Sequence, residues 1–132
     1  MLFAKKEKDY GKRYPYDEDF PVDRTEDLLP FYFVDEGKRK GRILIEKQCY
    51  NCLMIWSVKI YEQYRGNGLG KQMLNETLEY ITKNLYDTRK IGLYVYQDNE
   101  IAISLYQKLG FSIIKAYQCD NTYFMEKILK NT

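Results

Sequence analysis

The sequence predicts a single α/β (α+β) domain over residues 1–132, built on a mixed, mostly antiparallel central sheet with helices packed on it. Three observations carry that prediction. Three segments rich in β-branched and aromatic residues follow one another through short turns between positions 31 and 60. Two stretches of helical periodicity come next, with a short apolar run between them. Two further strand-like segments follow these, and a run of strands that gives way to alternating helices and strands makes a mixed sheet with helices on it. The 132 residues are one ordinary domain, long enough to close one packed core.

Residues 1–30 read as loops with at most a short helix near Arg24 to Leu29, punctuated by Pro15, Pro21 and Pro30. Their charge reverses along the way. Lys5, Lys6, Lys8, Lys12 and Arg13 dominate the start, whereas Asp17, Glu18, Asp19, Asp23, Glu26 and Asp27 face only Arg24 in 17–27. FYFVDEGK (31–38) ends in a Glu-Gly turn signal, and GRILIEKQ (41–48) and CLMIWSVKI (52–60) complete an antiparallel meander. Leu69, Met73, Leu74, Thr77, Leu78, Ile81 and Leu85 recur at helical spacing, so a helix covers about 69–84. IGLYVY (91–96) reads as a short buried strand. Ala102, Leu105, Tyr106 and Leu109 share one helical face, with Gly110 as the stop. FSIIKAY (111–117) and TYFMEKIL (122–129) are two strands around a Cys-Asp-Asn turn.

Composition removes several function classes. Twenty-one basic residues against 19 acidic ones give a net charge of +2, which is no electrostatic footprint for a nucleic acid. No apolar run reaches about 18 residues, so no membrane span is expected. The first residues lack the apolar region of a signal peptide, and a cytoplasmic location is expected. Three cysteines are an odd number and do not argue for a disulfide framework. Cys49 and Cys52 form a CxxC, but there is no second CxxC and no histidine, so a four-ligand zinc site is hard to build and no metal is expected. The pair reads instead as flanking a hairpin tip at Tyr50-Asn51. Fourteen tyrosines suit half-buried strands and a pocket lined by hydroxyls.

The chemistry concentrates in Arg65-Gly66-Asn67-Gly68-Leu69-Gly70-Lys71, between a strand and a helix. Glycines let backbone N–H groups approach an anion and adopt dihedrals closed to other residues. The following helix points the positive end of its dipole at the same place, and Arg65 and Lys71 add charge. A Walker loop fails here twice: Arg65 stands where its first glycine belongs, and Gln72 follows Lys71. A dinucleotide fingerprint fails as well, because the third glycine comes one residue early and the preceding strand belongs to a meander.

Arg65-x-x-Gly68-x-Gly70 resembles the GNAT acetyltransferase motif of Gln or Arg, two residues, Gly, one residue, and Gly or Ala after the family's fourth strand. A second GNAT signature follows about 30 residues on, as Asn99, Ala102, Leu105-Tyr106 and Gly110-Phe111. The resemblance covers about 31–129 and implies a GNAT-like sheet with a shortened N-terminal region in place of the family's usual first strand and two helices. It further implies an N-acetyltransferase that passes an acetyl group from acetyl-coenzyme A to a primary amine by direct attack on the thioester. The cosubstrate would lie between splayed fourth and fifth strands. Its pantetheine arm would pair with the backbone near Val58 and Ile60, and its pyrophosphate would rest on Gly66, Asn67, Gly68, Leu69, Gly70 and Lys71. Tyr106 would protonate the departing thiolate; its ordinary alternative is a core tyrosine on an amphipathic helix. Asn99 would bond the pantetheine region, cap the helix, or do both. Neither CLMIWSV nor IGLYVY carries a carboxylate, so Glu46 is the nearest candidate base by sequence, against a solvated strand residue beside Lys47 and deprotonation through water.

Two other readings stay open from sequence: a coenzyme A-binding regulatory module of weak activity, and a nucleotide-binding protein of another class. The expected partner is a small-molecule or peptide amine, cationic if the acidic stretch 17–27 faces the site rather than solvent. A homodimer is compatible with the chain.

Overall fold

The computed structural model describes residues 2–4, 28–49, 51–85 and 87–130. Seven strands form one sheet: β1 (Leu2–Ala4), β2 (Leu28–Asp35), β3 (Lys38–Cys49), β4 (Cys52–Ile60), β5 (Lys90–Tyr96), β6 (Ser112–Tyr117) and β7 (Thr122–Ile128). Helix α1 (Leu69–Asn84) joins β4 to β5, and α2 (Glu100–Lys108) follows β5. The order across the sheet is β1-β2-β3-β4-β5-β7-β6. Every neighbouring pair is antiparallel except β4 and β5, which run parallel because α1 is their crossover. Among the described residues, no helix is long and apolar enough to cross a membrane.

Both helices lie on one face of the sheet. Leu74 and Ile81 of α1 and the half-buried Ala102, Leu105 and Tyr106 of α2 pack with Ile43, Ile55, Ile91, Leu93 and Met125 in a single core. The helical spacing read from sequence therefore marks the core face of α1. Thr77 fits that stripe because its buried hydroxyl is satisfied, donating to the Met73 carbonyl at 2.7 Å.

The N-terminal region departs from expectation. Leu2–Ala4 is a strand, not a loop, and pairs antiparallel with Phe31–Phe33. A three-residue strand is too short to show a period, and its partner lies far along the chain. Leu28 to Pro30 open β2 instead of ending a helix, and Pro30 lies past the end of β1, where among the described residues no strand pairs with that side of β2 and proline is tolerated. The first strand of the GNAT pattern is therefore present, and β4 is fourth by count. The remainder of that expected helix and the acidic stretch 17–27 lie outside the described residues.

Two other expectations need correction. IGLYVY is buried on one face only: Ile91, Leu93 and Val95 face the helices, while Tyr94 and Tyr96 are 44% and 63% exposed. Cys49 and Cys52 do flank a hairpin tip, and they are joined by a disulfide. The antiparallel register sets them directly opposite, Cα atoms 5.1 Å apart, so a single local bridge forms without any framework.

Candidate functional site

β4 changes character at Trp56. Leu44 pairs with Ser57 and Ile45 with Ile55, so Trp56 is the extra residue of a β-bulge. Before it Leu53 and Ile55 face the core, and after it Val58 does, a phase shift that one inserted residue produces. A bulge bends its strand and sharpens its twist. Pairing between β4 and β5 ends at the same level, with Ile55 opposite Leu93. Beyond this point β4 keeps its ladder with β3 as far as Ile60, while its other edge parts from β5.

The gap is a cleft of about 310 Å³. Val58, Val95, Asn99 and Tyr106 line it from the helix side, and Trp56 and Tyr94 from the opposite face. The cleft therefore passes through the plane of the sheet. Its walls carry an open strand edge, whose unpaired backbone groups suit an extended ligand.

Tyr106 projects from α2 into this cleft, its ring edge-on to Phe111 with centroids 5.9 Å apart. Burial raises the pKa of its hydroxyl above the ordinary tyrosine value, which keeps the proton on the oxygen across the physiological range. Asn99 is the N-cap of α2: the Ala102 N–H donates to its Oδ1 at 3.2 Å. Its side chain also lines the cleft, so capping and contact with a ligand are compatible in one residue.

The glycine loop follows β4 after a single 3-10 turn at Glu62–Tyr64. Gly66 and Gly68 have φ of +87° and +74°, conformations that side chains disfavour. A Cβ built on either meets nothing within 4 Å. These glycines are thus required by the backbone path and not by a packed neighbour, and the space in front of them is open. Gly68 is the N-cap of α1, has no side chain to satisfy the first-turn amides, and is followed by no acidic residue in that turn. Lys71 is exposed beside those amides. Arg65 acts first on the protein itself: its Nε–H donates to the Ile60 carbonyl at 2.8 Å and ties the loop to the end of β4. Asn67 makes a similar local contact, with Nδ2 donating to the Tyr64 carbonyl at 3.3 Å. An oxygen-rich anion fits this arrangement of forward-facing amides, flanking cations and missing side chains.

The sequence-predicted residues therefore separate into groups. Val58, Asn99 and Tyr106 meet in the cleft, and residues 65–71 form the loop beyond its β4 end. Ile60 does not line the cleft, and its carbonyl is engaged by Arg65. Glu46 does not line it either. Its Oε1 accepts the Trp56 indole N–H at 2.8 Å, and Gln48 also donates to it, so it reaches the cleft only through Trp56. Trp56, Ser57, Tyr94, Tyr96 and Thr122 are wall residues that the sequence did not single out. For Tyr94 and Tyr96 a signal existed, since they alternate with Ile91, Leu93 and Val95; for Trp56 none did, because a bulge is a relation between two strands.

The family model described as Acetyltransferase (GNAT) family matches residues 2–111. The spermine/spermidine N(1)-acetyltransferase of Bacillus subtilis is 34% identical over 84 residues, which is 64% of this chain and 47% of that protein. The chain thus spans about half the length of this curated relative. A GNAT family acetyltransferase from Elizabethkingia anophelis, solved with acetyl-CoA bound, shares the fold with a TM-score of 0.75 at 16% identity, covering 98% of this chain and 97% of that one. The PaiA N-acetyltransferase of Thermoplasma acidophilum, solved in complex with coenzyme A, gives a TM-score of 0.66 at 22% identity, covering 77% of this chain and 61% of that one.

Proposed function

The chain belongs to the GNAT acetyltransferase family, and from its cleft we propose that it transfers an acetyl group from acetyl-coenzyme A to a primary amine. The observation that carries this reading is the coincidence of three features: the parted edge of β4, the open amides at the start of α1, and a protonated Tyr106 in the cleft. A thioester with a long amide-bearing arm and a pyrophosphate needs all three.

In this reading the arm pairs with the β4 edge near Val58, and the pyrophosphate sits on the amides of residues 66–71, with Lys71 adding charge. The amine enters from the opposite face of the sheet, past Trp56 and Tyr94. It attacks as the free base, its C–N bond forms, and the C–S bond breaks. The oxygen charge that develops is met by backbone N–H groups of β4. The Tyr106 hydroxyl donates to the departing sulfur, and its high pKa ensures that it arrives protonated. No carboxylate is among the described residues that line the cleft; in this reading the ammonium proton passes to water before attack, and the proton that the nitrogen sheds as the C–S bond breaks returns through water to Tyr106. Acetyl-CoA calorimetry followed by coenzyme A release with a panel of amines tests this reading. Tight binding with no release for any amine would leave a coenzyme A-binding module; absence of binding would remove the reading altogether.

A further inference from the structure

A second bulge lies in β3. Phe33 pairs with Gly41 and Val34 with Arg39, so Lys40 is the extra residue between them. A bulge interrupts the alternation of a strand and re-aims a side chain. Lys40 and Gly41 are accordingly buried in succession, and Lys40 is only 8% exposed where its neighbours Lys38 and Arg39 are open to solvent. A buried ammonium needs partners. Lys40 Nζ donates to Asp35 Oδ2 at 2.9 Å and to Glu36 Oε1 at 3.4 Å, and it lies 5.2 Å from the ring centroid of Tyr64, within cation–π range.

These partners come from two places. Asp35 and Glu36 stand at the β2–β3 turn. Tyr64 is the last residue of the 3-10 turn and directly precedes Arg65 and Gly66. Lys40 also holds the start of that turn, because its carbonyl accepts the Tyr61 N–H at 2.9 Å. It thus grips the segment between β4 and the glycine loop at both ends, by its carbonyl at Tyr61 and by its ammonium at Tyr64. From Tyr64 the connection passes into the loop, since the Tyr64 carbonyl accepts from Asn67 Nδ2. A Cβ at Gly66 or Gly68 would meet nothing within 4 Å, so packing in front of the loop does not fix its direction. Its flanks do, and they are α1 on one side and the Tyr64 turn on the other. Two carboxylates balance the Lys40 charge, so this ammonium acts on the loop through Tyr64 and not as a ligand to phosphate.

We propose that Lys40 is a positioning residue for the phosphate-binding loop: the bulge aims its ammonium at Tyr64, and that contact sets the direction in which the amides of residues 66–71 meet the pyrophosphate. The inference rests on the acetyl-coenzyme A reading and adds to it a residue that lies outside both the cleft and the loop. Its consequence is selective. Loss of the contact weakens the grip on the pyrophosphate end of the cosubstrate and spares the thioester end, which β4 and Tyr106 hold.

Two acetyl donors separate the two ends. Acetyl-CoA carries the pyrophosphate, and S-acetylpantetheine keeps the arm and the thioester without it. The full chain is assayed with each donor, with hydroxylamine as the nucleophile, and acetyl-CoA binding is measured by calorimetry. Lys40→Met keeps the length of the side chain and removes its charge; it should raise the acetyl-CoA Kd and KM about tenfold, with kcat and the S-acetylpantetheine kcat/KM changed less than about twofold. Tyr64→Leu leaves the Lys40–Asp35 pair in place and removes the ring, and the same pattern is expected of it. Lys40→Arg restores a cation over the ring and should recover most of the acetyl-CoA affinity. The double variant should lose no more than either single one, because both break one connection. An unchanged acetyl-CoA KM in a folded Lys40→Met protein overturns the inference, as does an equal loss for both donors. If Lys40→Met does not fold, Tyr64→Leu decides by the same two criteria. Failure of the parent chain to bind acetyl-CoA strikes the underlying reading instead.

Discussion

Placing an aspartate at position 68 sets a carboxylate where the pyrophosphate is proposed to rest, and the structure separates its two consequences. Gly68 lies at φ +74°, so a side chain there costs about 1 kcal/mol of backbone strain, less for Asp and Asn than for others. A Cβ meets nothing within 4 Å, so there is no packing penalty. Asp is also a good N-cap and suits the positive end of α1, which returns about 0.5 to 1 kcal/mol. Folding stability should then change by less than about 1 kcal/mol, or roughly 3–5 °C in Tm for a domain of this size. Ligand affinity should change far more. Two unit charges 4 Å apart repel by about 4 kcal/mol at an effective dielectric near 20, and solvent screening at an exposed loop reduces that. We expect Gly68→Asp to weaken acetyl-CoA binding at least about 100-fold, equivalent to about 2.8 kcal/mol. Gly68→Asn, of the same size but neutral, should lose about tenfold or less. Calorimetry gives the affinities and thermal unfolding gives the stabilities. A folded Gly68→Asp protein that binds acetyl-CoA as the parent does would refute the placement of the pyrophosphate.

Other expectations follow from single side chains. Tyr106→Phe should lower turnover roughly 10²- to 10⁴-fold while coenzyme A affinity is retained, because the ring packing against Phe111 survives and only the donor is lost; full activity in steady-state assays would make Tyr106 a core residue. Since burial raises the folded pKa of Tyr106, its contribution to stability is complete below the unfolded value of about 10 and is lost as pH rises through the folded value. Urea unfolding between about pH 9 and 11 should therefore show a steeper loss for the parent protein than for Tyr106→Phe. Gly41→Ala should destabilise by roughly 1–3 kcal/mol, because its Cβ would sit 2.6 Å from the Lys59 carbonyl oxygen, a backbone atom held in the β3–β4 ladder. Gly70→Ala is the contrasting case: its Cβ would make an ordinary 4.0 Å contact with Ile60 inside a helix, so thermal unfolding should show a gain of about 0.5–1 kcal/mol.

The glycine loop, the span of α1, the Asn99 cap and the place of Tyr106 on α2 were all legible in the chain itself. Each is written in neighbouring residues: a spacing of glycines, a stripe of apolar side chains every three to four positions, a capping residue three before the amide it accepts from. What brings these parts into one site is not local. The bulge at Trp56 exists only in the register of β4 against β3, and the parting of β4 from β5 exists only because pairing stops at Ile55 and Leu93. Leu2–Ala4 becomes a strand because Phe31–Phe33 offers an edge far along the chain, and Cys49 meets Cys52 because the hairpin register sets them opposite. Glu46 stands out in the sequence as the nearest carboxylate to a site in need of a base. Tertiary structure gives its oxygen to the Trp56 indole instead, and sets Trp56 of β4, Tyr94 and Tyr96 of β5 and Asp120 of the β6–β7 turn around one hollow. Local signals of period and composition fix which residues form helices and strands, but a cleft and its walls are distances between segments, and those are set only when the sheet pairs and packs.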